Sequence, residues 1–205
     1  MILQLLLYYN QAMTTNTFSG QQTDEKVLYF TRPHNGVKYF AFLKVIVLGF
    51  FVFLAFQIVS INLPILSSLM SLIGTVLSII VIVFGLWWTN SVHEGTEIYV
   101  TDRRIVKFSP FSPWQKTLRT LFWDEAVKSK TYYKNPILEH LLGVGSLEIH
   151  ARSQDKDNVD LNYLPYHQDL ANYIDKILYT FKNKPEDLKN FKEFVAKPKG
   201  ERDNF

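Results

Sequence analysis

The chain has no cysteine among its 205 residues, which excludes a disulfide framework, a thiolate zinc site and a thiol nucleophile. It does not fix the compartment, since a cytosolic domain can also lack cysteine. A basic block is missing too: 22 Lys and Arg are interspersed with 19 Asp and Glu for a net charge of +3, so nucleic-acid binding has no electrostatic footprint. The five histidines, His34, His93, His140, His150 and His167, are widely separated. None forms an i, i+4 pair beside a glutamate, so no metal ligands are expected. No set of nucleophile, base and orienting residue stands out, so neither catalytic residues nor a cofactor are expected. The most telling absence is local, because residues 45–92 contain no Asp, Glu, Lys or Arg.

That uncharged run is broken near its middle by Asn62-Leu63-Pro64, leaving stretches 39–60 and 65–88. A bilayer crossing needs about 20 mostly apolar residues, so the sequence predicts a two-helix transmembrane hairpin over 39–92. Lys44 is the only charge within the spans. It lies about 8 Å into a helix beginning near Tyr39, shallow enough for its stem to snorkel back to the interface. Lys26, Arg32 and Lys38 precede the first span, Arg103, Arg104 and Lys107 follow the second, and the connecting turn is uncharged. The positive-inside rule then puts both termini in the cytoplasm, with Trp87 and Trp88 at the headgroup level. Ser67, Ser71, Gly74, Ser78 and Gly85 form a stripe of small residues on the second helix, the kind that lets helix backbones approach.

The flanks divide by composition. Residues 1–24 read as a polar leader, although 1–9 are apolar. That opening makes a poor signal peptide, and translation from Met13 is an equal alternative to Met1. Residues 25–38 form a juxtamembrane segment, 94–182 one soluble domain, and 183–205 a charged flexible tail.

After Glu94-Gly95 the periodicity falls to two, the mark of antiparallel sheet. Expected strands cover 96–100, 104–108, 117–122, 127–133, 147–151 and 159–163, with Pro110 and Pro113 forcing a loop between the second and third. The last two strands alternate apolar and polar residues, one face buried and one wet. Leu170, Tyr173, Ile174, Ile177, Leu178 and Phe181 then trace the apolar stripe of an amphipathic helix. The pattern predicts a small, partly open antiparallel barrel with a C-terminal capping α-helix.

The order of Glu25-Lys26-Val27-Leu28-Tyr29, Arg32-Pro33-His34, the hairpin, Tyr99-Val100-Thr101-Asp102-Arg103-Arg104-Ile105 and Leu142-Gly143-Val144-Gly145-Ser146-Leu147-Glu148-Ile149 resembles the bacterial membrane-flanked, pleckstrin-homology-like (PH-like) domain proteins. The resemblance covers residues 25–178. It implies a PH-like fold of seven strands or nearly so with a capping helix, and it implies no catalytic residues and no settled ligand. The Pro-flanked Ser109-Pro110-Phe111-Ser112-Pro113 departs from the commoner family pattern.

Four residues are candidates for lipid or partner contact. Arg103 and Arg104 sit at a hairpin tip where two guanidiniums can fork onto phosphates; the competing reading is a structural turn whose arginines pair with Asp124 or Glu125. Phe111 and Trp114, near Phe122 and Trp123, are rim aromatics of the kind that mark a partner or membrane surface, against ordinary core packing. Asp124-Glu125 reads as a turn rather than an acid–base pair. Gly143-Val144-Gly145 reads as a turn rather than a dinucleotide fingerprint. The expectation is a non-enzymatic module anchored in the membrane by the hairpin, binding a protein partner, a second copy of itself or lipid headgroups. The alternative is an accessory subunit of a transporter or membrane enzyme, docking through Ser67, Ser71, Gly74 and Ser78.

Overall fold

A computed structural model describes residues 17–153 and 157–196; the apolar opening and Met13 lie outside them. The described residues form two compact units. One comprises 17–33, 97–108 and 118–196, the other 34–96 and 109–117.

The first unit is the β-rich one. Strand β1 (Val27–Thr31) precedes the long helices, and six more follow: β2 (Glu97–Thr101), β3 (Arg104–Ser112), β4 (Gln115–Phe122), β5 (Ala126–Tyr132), β6 (Gly145–Ala151) and β7 (Val159–Leu164). They form two antiparallel sheets, β1-β2-β3-β4 and β5-β6-β7. The coarse layout therefore matches the sequence pattern, but the described strands do not close into a barrel. β1 pairs with β2, Thr31 opposite Ile98 and Phe30 opposite Tyr99. Part of the stretch read as juxtamembrane is thus an edge strand of the sheet, and the uncharged run is inserted between two paired strands.

Alternation explains the core. Ile98 and Val100 of β2 face inward with Leu28, Ile105, Leu121, Trp123, Leu147, Ile149 and Leu161, and the intervening Tyr99 faces a second cluster with Phe18 and Val106. The Phe18 ring lies 4.8 Å from that of Tyr99, so part of the polar leader packs on the sheet. The C-terminal helix (His167–Asn183) buries Leu170, Ile174, Ile177 and Leu178, the stripe expected from its 3.6-residue period. Beyond it, where composition suggested a solvated end, Leu188 is buried and Phe194 donates its backbone N–H to the Leu28 carbonyl at 3.0 Å. The Phe194 ring meets Tyr29 at 4.6 Å.

A short helix (Pro136–Leu142) also escaped the periodicity. Asn135 caps it by accepting from the Leu138 N–H at 3.3 Å, Pro136 opens it, and Gly143 ends it at φ 65°, the left-handed conformation glycine adopts without penalty. Seven residues are too few for an apolar stripe to register.

The second unit is built on α1 (Asn35–Asn62) and α2 (Ser67–Glu94), joined through a 3₁₀ turn (Pro64–Leu66). His34 caps α1, its Nδ1 accepting from the Gly36 N–H at 3.1 Å. That bond needs the ring unprotonated at Nδ1, and burial holds the His34 pKa below its ordinary value. Residues 109–117, the turn end of the β3–β4 hairpin, group with these helices. Pro110, expected in a loop, lies inside β3. The β2 ladder ends at the Glu97–Phe108 pair, so a proline beyond Phe108 interrupts none of its hydrogen bonds.

Candidate membrane-facing surface

Each long helix has 28 residues, about 42 Å at 1.5 Å per residue, and both are long and apolar enough to cross a membrane. A core helix of a soluble protein passes the same test but is mostly buried. Here only 6% and 11% of the most apolar windows are buried. Their outward side chains, among them Leu43, Phe51, Ile58, Ile79 and Val83, are exposed. Lys44 is exposed on α1. Lys38, six residues earlier, reaches Asn90 Oδ1 at 3.2 Å and Glu94 Oε1 at 3.4 Å, tying the two charged helix ends together.

The small-residue stripe is used inside the hairpin. A Cβ on Gly74 would lie 2.3 Å from Phe56 Cβ, and one on Gly49 would lie 2.3 Å from Ile82 Cγ1, so each backbone lies directly against a large side chain of the other arm. Ser78 Oγ donates to the Gly49 carbonyl at 2.8 Å, Ser60 Oγ to the Ser67 carbonyl at 2.8 Å, and Gln57 Nε2 to Ser71 Oγ at 3.0 Å. Gly85 meets Val45 in the same way. The partners on α1, Gly49, Gln57 and Ser60, share one helix face at i, i+8 and i+11, but only two of the three are small, so they did not stand out as a small-residue stripe.

At the other end of α2, Trp87 and Trp88 join the turn of the β3–β4 hairpin. The Trp114 ring is 5.7 Å from that of Trp87 and 5.6 Å from that of Trp88, with Phe84 at 5.6 and 5.7 Å from the same two rings. Ser112 Oγ accepts from the Gln115 N–H at 3.1 Å and Thr117 Oγ1 donates to the Ser109 carbonyl at 2.7 Å, bracing the turn. Phe111 is 62% exposed and Trp114 71%. Of the four aromatics around the prolines only Trp123 is fully in the core, its Nε1 donating to the Thr101 carbonyl at 3.0 Å.

Arg103 and Arg104 have acidic partners in the segment before β1, Asp24 and Glu25, where the sequence suggested Asp124 or Glu125. Arg104 makes a two-pronged pair with Glu25, Nε to Oε1 at 2.9 Å and Nη2 to Oε2 at 2.8 Å. The Glu25 side chain is 0% exposed and that of Arg104 13%. Thr101 Oγ1 also donates to Glu25 Oε1 at 2.8 Å. Burial by itself would raise the Glu25 pKa, but the bonds from Arg104, the Gln22 N–H and Thr101, with the guanidinium charge, hold it below the ordinary value. Arg103 pairs with Asp24 and Gln22. Asp102 Oδ1 accepts from the Lys26 N–H at 3.0 Å. This turn is knitted to the leader and to β1. Lys107 Nζ donates to the Asp160 carbonyl, and burial pushes its pKa down.

The remaining candidates are scattered. His150 lies 3.5 Å from Glu148, His167 is buried with its ring 5.7 Å from that of Tyr133, and His140 is exposed. No cluster of His, Cys, Asp or Glu suited to a metal ion occurs among the described residues. Glu125 donates its N–H to the Phe122 carbonyl at 3.1 Å, closing the turn between β4 and β5. Compared with known proteins, the chain matches no family model, no curated protein and no solved structure.

Proposed function

We propose that this chain is a non-enzymatic interaction module anchored in a bacterial inner membrane. The α1–α2 hairpin crosses the bilayer with both termini cytoplasmic, and the β-rich unit is a PH-like domain that binds a protein partner, a second copy or lipid headgroups there. The observation that carries the reading is the pair of long apolar helix surfaces left exposed, inserted between two paired strands of one sheet. Exposed apolar surface on that scale is unfavourable in water and suited to lipid. The seven strands and C-terminal helix among the described residues agree in number with what the family resemblance implies and support the PH-like reading. Confinement to a surface would raise the module's effective concentration toward its neighbours. The small-residue stripe is occupied within the hairpin, so docking on foreign helices is not the reading favoured.

The absence of cysteine makes the test direct. Asn62→Cys and Asp124→Cys are introduced singly into the full chain in bacterial cells and treated with a membrane-impermeant maleimide. Cys at position 62 should react in intact cells and Cys at 124 only after lysis. Reaction of both in intact cells, or recovery of the chain in the soluble fraction, overturns the topology.

A further inference from the structure

We propose that the turn of the β3–β4 hairpin is a third membrane contact, with Phe111 and Trp114 seated in the headgroup–acyl boundary of the bilayer that α1 and α2 cross. The inference rests on the membrane reading above and adds to it a surface that neither helix supplies. Trp114 packs on Trp87 and Trp88 at 5.7 and 5.6 Å. Those residues precede Glu94, the last residue of α2, by seven and six positions, about 10 Å along the helix, where the uncharged run gives way to charge. That is the depth indole rings favour in a bilayer, and ring contact puts Trp114 at the same depth.

The turn lies along the end of α2 through two further contacts: a Cβ on Gly95 would come within 2.9 Å of Pro110 Cγ and 3.4 Å of Lys116 Cε. Lys116 thus ends beside the charged terminus of α2, as a lysine stem reaching from the boundary toward headgroups does. Trp114 and Phe111 are exposed side chains on a turn braced by Ser112 and Thr117, so little conformational entropy is lost when they are immersed. The apolar patch is continuous through Trp87 and Phe84 with the exposed flank of α2. Its occupant is therefore the lipid that covers that flank.

The full chain is reconstituted into phosphatidylcholine–phosphatidylglycerol vesicles with an environment-sensitive fluorophore on Gln115→Cys or Ile79→Cys, and quenched by lipids carrying a nitroxide at a shallow or a deep acyl position. Ile79→Cys should be quenched most by the deep nitroxide and Gln115→Cys most by the shallow one. Phe111→Ser with Trp114→Ser should remove most of the quenching at position 115 and leave that at 79 unchanged. If position 79 is quenched and 115 is not, the third contact is wrong while the anchor stands. A label at 115 shielded from aqueous iodide but untouched by nitroxide lipid puts a second copy or another protein on the patch, and the third membrane contact is again overturned. Unchanged quenching at 115 in the double variant overturns the role given to the two aromatics. Absence of quenching at both positions removes the anchor and this contact together.

Discussion

Excising residues 33–96 and joining Arg32 to Glu97 through Asn-Gly should give a soluble, cooperatively folding domain, whereas a fragment beginning at Glu94 should be far less stable. β1 and β2 are already an antiparallel pair with Thr31 opposite Ile98. The next residues outward, Arg32 and Glu97, form an ion pair at 2.6 Å, so a two-residue turn of the type favoured in β-hairpins closes them without changing register. The fragment loses β1 instead. Leu28, 1% exposed in the core, contributes about 1.5–3 kcal/mol by burial. Loss of Glu25 strips Arg104 and Thr101 of their partner, a further cost of about 2 kcal/mol after allowing for water reaching the vacated edge. The total, about 3.5–5 kcal/mol, approaches the whole stability of a marginal domain and corresponds to a drop of about 14–20 °C in Tm. Trp123, buried beside Thr101, reports the transition by fluorescence, with far-UV circular dichroism as a second probe. A fragment from Glu94 that unfolds cooperatively within a few degrees of the fusion would refute the claim that β1 is integral to the domain.

In that fusion, Glu25→Gln should lower stability at neutral pH by about 2–4 kcal/mol, read by urea unfolding. Because the folded carboxyl titrates below its ordinary 4.5, the wild-type contribution is complete above that pH and lost as the pH falls through the folded value. The variant should therefore show a flatter acid limb, and identical limbs would count against the pair. In the full-length chain, Gly74→Leu should force the hairpin arms apart at Phe56 and lower the thermal unfolding midpoint in mild detergent far more than Ser78→Ala. The serine change removes one interhelical hydrogen bond worth about 0.6 kcal/mol in a membrane setting; equal effects would argue that the seam is not closely packed. Trp123→Phe should cost about 1–3 kcal/mol in the fusion, from the lost bond to the Thr101 carbonyl and the volume removed, measured by chemical denaturation.

The two long helices were legible in the sequence because a long apolar helix is marked by composition over a contiguous run, and residues 45–92 lack charge entirely. The strands from Thr96 and the C-terminal helix were legible because one buried face imposes a period of 2 or 3.6. What periodicity could not carry was pairing at a distance. β1 is five residues long and separated from β2 by both helices, so its membership of the sheet rests on hydrogen bonds between residues about 70 apart. Glu25 illustrates the same limit at the candidate site: nothing local distinguishes it from Asp24, and only folding sets its carboxylate against Arg104. Trp123 and Trp114 are likewise indistinguishable by type, yet one is enclosed in the core and the other exposed on a turn beside Trp87 and Trp88.

By itself, then, the sequence determined that two long apolar helices exist, though not their 28-residue extents, together with the alternating segments and the absence of thiol chemistry, all properties of contiguous residues. Tertiary structure decided that the helices interrupt a sheet, that the small-residue stripe faces its own partner arm, and that Arg103 and Arg104 are matched by Asp24 and Glu25. It also decided which aromatics are left exposed. Each of those outcomes depends on which groups are desolvated together, and burial is settled by the assembled chain rather than by any one stretch of it.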